Sequence, residues 1–367
     1  MQLGAFLINS HPPERSLADG HAIDLDQIRF LDEAGWLEAW IGEHYTAAWT
    51  PCPAPDLLIA QALPLTRQIR LGPLGHLLPY HHPVELAQRA AYLDHLSGGR
   101  YQFGAAISAL PTDRQLFAID HVPGLNREMT FEALDIINML WTVGPRRYAG
   151  RYWNCAEPES ELSTLAYHLR PLQRPHPPIA IAGMTANSAN LHLAGVRGWL
   201  PVSLNITPDP QQLAAHFATV ATGADSIGLQ ADRNRWRIVA DIVVAPTDEE
   251  AREIARTGAM ARCWREFLLP LYLSLGLGRL LGALPGGTRI PDDAIDIDHL
   301  MDHLWIVGSP DTVTEKITRL RDDVGGFGVL LATCYDHVDE ATTWQRSVDL
   351  LTNTVIPRLD TGVSTAG

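Results

Sequence analysis

Apolar residues in this chain fall into short runs, separated by longer stretches where they recur every three or four positions, and the alternation repeats from end to end. A short run bounded by turn residues reads as a buried strand, and three-to-four spacing reads as one face of a helix. Residues 3–8 form such a run, with Asn9-Ser10-His11-Pro12-Pro13 as its exit loop. Residues 24–34 carry helical spacing and stop at Gly35, and residues 37–41 are a second strand ending at Gly42-Glu43-His44. Asp56 opens a helix to about residue 63.

Residues 69–106 hold the clearest unit. Ile69 and Leu71 begin a strand bounded by Gly72 and Pro73. Pro83 suits a first helical turn, where its missing N–H would have no partner. Leu86, Ala87, Ala90, Ala91 and Leu93 share a helix face, Ser97-Gly98-Gly99 ends it, and residues 101–106 form the next strand. A strand, helix and strand of this length predict parallel strands with a right-handed crossover. Such a unit places its chemistry in the loop at the carboxyl end of its first strand, here residues 77–82.

Further units follow. Residues 126–140 form a helix on which Met129, Ala133, Ile136, Ile137 and Leu140 share a face, and residues 145–177 read as a long loop. Strands are expected at 178–182, 199–202, 236–244 and 327–331, and helices at 185–194 (closed by Gly195), 209–222, from Thr247, at 309–323 and at 339–356. Residues 257–300 fit no strand–helix unit and read as an insertion, a lid near the carboxyl-end mouth. Eight strands alternating with helices predict a parallel sheet. An open doubly wound sheet and a closed barrel both satisfy the pattern.

Composition narrows the partners. The chain has 367 residues, 46% of them hydrophobic, and a net charge of −14. It is long enough for a large core. Its acidity disfavours nucleic acid and anionic membranes as partners. Lys316 is the only lysine, so the positive charge is nearly all arginine. Cys52, Cys155, Cys263 and Cys334 lie far apart, which points to a reducing compartment rather than a disulfide framework. The N-terminus has no basic region ahead of its short apolar run, so it does not look like a signal peptide. Residues 267–284 are the most apolar segment, but Pro270, Arg279 and several glycines interrupt it. A soluble, cytoplasmic protein is expected, with no membrane association.

Among candidate chemical groups, His44 stands out, because it sits at the carboxyl end of the second strand and an imidazole exchanges protons near neutral pH. His76, His81, His82 and His95 cluster in sequence, but no pair has the spacing that sets two imidazoles on one helix face, so no metal is expected. Gly276, Gly278 and Gly282 do not have the spacing of a dinucleotide-binding loop. A helix opening near Thr185, after a barrel-type strand, offers backbone N–H groups to a phosphate.

The wording of three segments resembles a known family. "RLGPLGHLLPYHHPVELAQRAAYLDHLSGGRYQFG" in residues 70–104, "WIGEHYT" in residues 40–46 and "WIVGSPDTVTEKITRLRDDVGGFGVLL" in residues 305–331 resemble the bacterial luciferase-like flavin monooxygenases, in their limonene-monooxygenase-like branch. The resemblance implies a single (β/α)8 TIM barrel over residues 1–367 with the insertion inside it. It implies a two-component monooxygenase: a separate flavin reductase supplies reduced FMN, and O2 reacts to give a flavin hydroperoxide that oxygenates a small apolar or aromatic molecule. It implies His44 as the catalytic residue, with Glu43 orienting it or lining the flavin pocket. Leu74-Gly75 matches the position of a non-prolyl cis peptide under the flavin ring. Gly183, Met184, Thr185, Asn187 and Ser188 match a phosphate-binding helix start, and Arg127 a helix-start arginine near the flavin tail. Asn9, His11, Tyr80, His82 and Ser108 are the candidate substrate pocket, with Trp40, Trp49, Trp141 and the insertion keeping its mouth dry. A homodimer through the helices at 56–63 and 83–96 is implied too, the small residues Ala60, Ala87, Ala90 and Ala91 allowing close approach. The chain departs from luciferases proper at Ala106 and Ile107, where those carry a cysteine and a phosphate-gripping arginine, and continues Ser108-Ala109-Leu110-Pro111. Alternatives are an F420-dependent hydride-transfer enzyme on the same barrel, or a flavin-binding protein without catalysis.

Overall fold

A computed structural model describes residues 1–119 and 121–360, so the last seven residues of the expected domain lie outside the description. Round the sheet, parallel neighbours are Arg70–Pro73, Glu38–Ile41, Gln2–Ser10, Val329–Tyr335, Arg237–Ala240, Leu200–Leu204, Ile179–Gly183, Phe103–Ala106 and His76–Leu77. The first and last of these are one strand position, interrupted at Leu74-Gly75, where the peptide bond is cis. A parallel bridge from Leu71 to Tyr101 closes the ring. Eight strand positions thus make a (β/α)8 barrel, which settles the choice that periodicity left open. Closure demands a glycine at 104, since a Cβ there would lie 1.9 Å from the Pro73 carbonyl oxygen.

Trp40, Leu200, Val202, Val239, Val329 and Leu331 fill the barrel. Alternate residues such as Leu3, Ala39, Phe103, Ile179 and Leu330 face the surrounding helices. The amino-terminal end is sealed by a buried pair, Arg237 to both oxygens of Glu38 at 3.0 and 3.1 Å, with Trp40 and Gln102 also donating to Glu38. Chemistry is therefore left to the other end, where the strands run out at Ser10, Ile41, Leu77, Ala106, Gly183, Leu204, Ala240 and Tyr335.

Several elements differ from the sequence expectation, among them a helix Pro111–Leu116 that was not expected and a short hairpin, Tyr148–Ala149 with Asn154–Cys155, inside the stretch read as a loop. The first helix spans Leu17–Glu33, because Ser16 caps it by accepting from the Asp19 N–H. The helix expected from Thr185 is Ala189–Arg197: Ser188 is its cap and Gly198, at φ +64, closes it. Gly195 lies inside, where a Cβ would sit 2.0 Å from the Val220 carbonyl oxygen of the next helix, Pro210–Asp225. The run at 236–244 breaks at Asp241: Arg237–Ala240 stays in the barrel, while Ile242–Val244 turns away to pair with Ile306–Gly308, a strand the sequence did not reveal.

Residues 257–300 hold short helical segments, Ala259–Cys263, Trp264–Leu268, Leu269–Ser274 and Gly278–Leu281, with Ile297–His303 following. They pack on the carboxyl end: Trp49 stacks on Phe267 at 6.2 Å, the Ser10 hydroxyl bonds the Cys263 sulfur at 2.9 Å, and Ile206 and Met184 join the same apolar cluster. Among the described residues no helix is long and apolar enough to cross a membrane.

Candidate active site

His44 opens a loop that folds on itself by short-range bonds. Its N–H donates to the Cys52 carbonyl at 2.9 Å, and Thr50 and Cys52 close turns inside. The loop is pinned from outside by Asp113, fully buried on the helix Pro111–Leu116, whose Oδ1 accepts from the Thr46 N–H at 2.9 Å and from its hydroxyl at 2.5 Å. The backbone thus fixes where the imidazole goes, and no protein group satisfies it: Nδ1 is buried without a partner. Burial pushes the ring's pKa below that of a free histidine, against the opposing charges of Asp113 and Glu43. A neutral imidazole with one unspent nitrogen, at the carboxyl end of a barrel strand, is equipped to hold or pass a proton.

Glu43 points elsewhere. Its carboxylate bonds His76 at 3.1 Å, His81 at 2.7 Å and the Tyr45 hydroxyl at 2.9 Å, rather than His44. His76 in turn lies 3.2 Å from Asp56, which pairs with Arg89. Burial pushes the Glu43 carboxyl up, but the two histidine hydrogen bonds outweigh it and bring it down to about 2. Burial likewise works against charging His76, yet Asp56 and Glu43 hold it up at about 9. The ligand atoms of Glu43, His76 and His81 lie within 4.8 Å of one another, a spacing a cation could bridge. Here the charged His76 ring already stands between the two carboxylates as their cation.

Near the interrupted strand, Tyr80 donates to the Ser108 hydroxyl at 2.7 Å and stacks on Phe117 at 4.0 Å, with Tyr45 edge-on to both. Ser108 is buried at φ +64, and its carbonyl accepts from Asn126 at 3.1 Å. Gly75 admits no side chain, since a Cβ would meet the Ala105 backbone at 2.7 Å. His82 is exposed and caps the helix Pro83–Leu96, its Nδ1 accepting from the Val84 N–H. It stands at the surface beside Trp153, outside the group around Ser108. Trp141 is also not at the mouth: it is buried under the helices, donating to the Ala87 carbonyl.

On the first strand, Asn9 takes φ +54 and donates to Asp24 at 2.7 Å, leaving its own Oδ1 buried and unpartnered. His11 sits 3.0 Å from Asp336 and 3.3 Å from Asp24, and Arg15 also binds Asp336. Burial alone would lower the His11 pKa, but the two aspartates raise it to about 9. His11 is thus held as a structural cation tying the first strand to the last.

After the fifth strand position, Gly183 is buried because a side chain would meet Leu191 and Ser188. Met184, Thr185 and Asn187 form a loop ahead of the helix rather than its first turn, and the Ser188 hydroxyl is engaged by the Leu191 N–H. Arg127 stands exposed in the first turn of Leu125–Thr142. The sequence reading missed Asp113, Asp24 and Asp336, which position the mouth from elements far along the chain. It also missed Asp241, whose carboxylate takes the Tyr335 hydroxyl at 2.5 Å and the Trp264 indole at 3.1 Å, joining the insertion to two strand ends.

Comparison with known proteins fits this geometry. A family profile described as luciferase-like monooxygenase matches residues 1–325. The chain is 33% identical to 2,5-diketocamphane 1,2-monooxygenase 2 of Pseudomonas putida, over 98% of this chain and 100% of that one. It is 30% identical to limonene 1,2-monooxygenase of Rhodococcus erythropolis, over 98% of this chain and 87% of that one. Among solved structures, the oxygenating constituent of 3,6-diketocamphane monooxygenase from Pseudomonas putida, a type II Baeyer-Villiger monooxygenase in complex with FMN, superposes with a TM-score of 0.89 at 29% identity, covering 98% of both chains.

Proposed function

This chain belongs to the luciferase-like monooxygenase family, and we propose that it is the oxygenating component of a two-component system that inserts one atom of O2 into a small, apolar, cyclic organic molecule, a cyclic ketone being the first candidate. It is a flavin-dependent monooxygenase; reduced FMN comes from a separate reductase in the cytoplasm. The observation that carries the reading is the unspent, buried Nδ1 of His44 at the mouth of this barrel.

The residues present fit a flavin. His44 and Asn9 each leave a buried polar atom without a protein partner. Gly75 and Gly183 keep side chains out of the wall where the ring and its tail would run. Thr185 and the first N–H groups of the helix Ala189–Arg197, with Arg127, would hold the phosphate. Ala106 and Ile107 contribute no donor side chain, so the grip falls on that other side. When bound, reduced FMN supplies the two electrons that activate O2, one oxygen atom going to the substrate and the other to water.

The chain's own groups do the rest. His44, kept neutral by burial, holds or accepts a proton at Nδ1. Asp113 fixes its loop. Tyr80, Ser108 and Phe117 orient the substrate, and the insertion over residues 257–300 acts as a lid that excludes water. Relatives that act on diketocamphane and limonene, as their names state, support an apolar carbocycle.

A homodimer through the helices Pro55–Ala62 and Pro83–Leu96 is part of the proposal. Ala87, Ala90 and Ala91 cannot supply its contact, because they are fully buried within the chain. Leu57 and Tyr92, 65% and 58% exposed, support it instead. Anaerobic titration with reduced FMN and with reduced F420 tests the cofactor: tight binding of reduced FMN alone is expected, and a preference for reduced F420 would overturn the reading.

A further inference from the structure

We infer that the break in the barrel wall beside Asp241 is a holding site for molecular oxygen. Up to Ala240 the seventh strand position is paired with the eighth, Ala240 facing Ala332. Beyond it, Ile242–Val244 leaves to pair with Ile306–Gly308. Thr333, Cys334 and Tyr335 continue paired with the first strand on one side only. The wall therefore opens on their other side, at the carboxyl end, and the helix Ala341–Leu350 packs there, with Ser347 bonding Val244, and Trp344 and Val348 lining the space with Ala332 and Cys334. A cavity of about 40 Å³ results, lined by Ile242, Val243, Ala332, Cys334, Trp344 and Val348 among others.

Its size and chemistry select the occupant. A water molecule needs roughly 10–15 Å³, so a diatomic gas fits and a carbocycle does not. Water would need two to four polar partners, and most of the polar side chains reaching the lining are already engaged. Ser347 accepts from the Val244 N–H at 2.8 Å, and Thr333 donates to the Ala240 carbonyl at 3.4 Å. Tyr335 donates to Asp241, and Glu340 accepts from the Ala259 N–H and binds His337. Among the described residues, no buried polar atom left without a partner belongs to the lining. A small, mainly apolar cavity of this kind can take up apolar gases. Tyr335 reaches from this lining to Asp241 and Trp264 and packs in the same apolar cluster as Trp49, on the loop that His44 opens, so the site lies on the carboxyl-end side of the barrel. The identity of the gas rests on the flavin monooxygenase reading above; the cavity does not.

The test has two arms on the full chain. Crystals pressurised with xenon should show xenon between Ile242 and Val348. Val348→Phe and the milder Thr343→Leu, which fill the space from the covering helix, should lose that xenon. In stopped flow, the second-order rate of reoxidation of protein-bound reduced FMN by O2 should then fall several-fold, with the affinity for reduced FMN unchanged. Thermal melting identifies a variant that has failed to fold, and Thr343→Leu keeps the comparison open if Val348→Phe does. Absence of xenon from this cavity, or an unchanged oxygen rate in a folded, filled variant, would overturn the inference. Xenon bound in a protein that ignores reduced FMN would instead overturn the flavin reading, and the oxygen assignment with it.

Discussion

His44 and Glu43 are adjacent in sequence and do different work. His44 has a free nitrogen and a pKa pushed down by burial. His44→Ala should therefore leave folding and reduced-FMN affinity nearly unchanged while product formation drops on the order of 10²–10⁴-fold. Product and peroxide, measured separately, show whether the lost turnover escapes as peroxide. The acid limb of the kcat/KM profile should lie below the free-histidine pKa of about 6.5 and vanish in the variant; a limb that survives would remove His44 from the chemistry. Glu43 is spent on His76, His81 and Tyr45, so the effect expected of it is on stability. Its folded pKa, about 2, is below the ordinary 4.5, so its contribution is present above pH 4.5 and fades as pH falls towards 2. That of His76, about 9, is above the ordinary 6.5, so its contribution is complete below pH 6.5 and lost as pH rises through 9. Both act fully only between about pH 4.5 and 6.5. Glu43→Gln should cost about 3 kcal/mol at pH 6, because it strips a buried cation of one partner. The cost should shrink near pH 10, where His76 is neutral. Urea unfolding at the two pH values checks this, and equal losses at both would contradict the charge assignment.

Between elements, the contact to test is the one Gly195 makes. The helices Ala189–Arg197 and Pro210–Asp225 touch through it, with Gly223 meeting the His192 carbonyl in return. Gly195→Ala should destabilise by about 1–3 kcal/mol, as overpacking does, and lower the melting temperature without altering turnover per folded molecule. In sequence this glycine reads as a helix terminator, since a glycine that ends a helix and one that lets two helices touch look alike. The same ambiguity hid the cap: Thr185 and Ser188 are both small hydroxyl residues, and only the position of Leu191, the first buried apolar residue of the turn, marks Ser188. The strand–helix units were legible because burial imposes a period on each. The break at Asp241 was not, because one aspartate in an apolar run does not reveal that the strand changes partner, and Ile306–Gly308 is too short to carry a period. At the mouth, residues at strand ends could be named from the chain. Their supports could not: Thr46 meets Asp113, and His11 meets Asp336, across separations the sequence does not encode locally.

For the whole molecule, the barrel is sealed at its amino-terminal end by Glu38 and Arg237, and residues 257–300 pack in an apolar cluster at the other. Pairing through the exposed Leu57 and Tyr92 should give a dimer by light scattering at micromolar concentration. Leu57→Glu should shift it to monomer with each barrel intact; a wild-type monomer would remove the dimer from the account. Isotope labelling decides whether this chain transfers an atom of O2 to a carbon substrate. The purified protein is loaded with reduced FMN, mixed with ¹⁸O2 and a panel of small cyclic ketones and alkenes, and the products are read by mass spectrometry. One ¹⁸O atom is expected in the product, with yield dependent on His44. Reduced FMN oxidised only to peroxide, with no labelled product from any member of the panel, would contradict it.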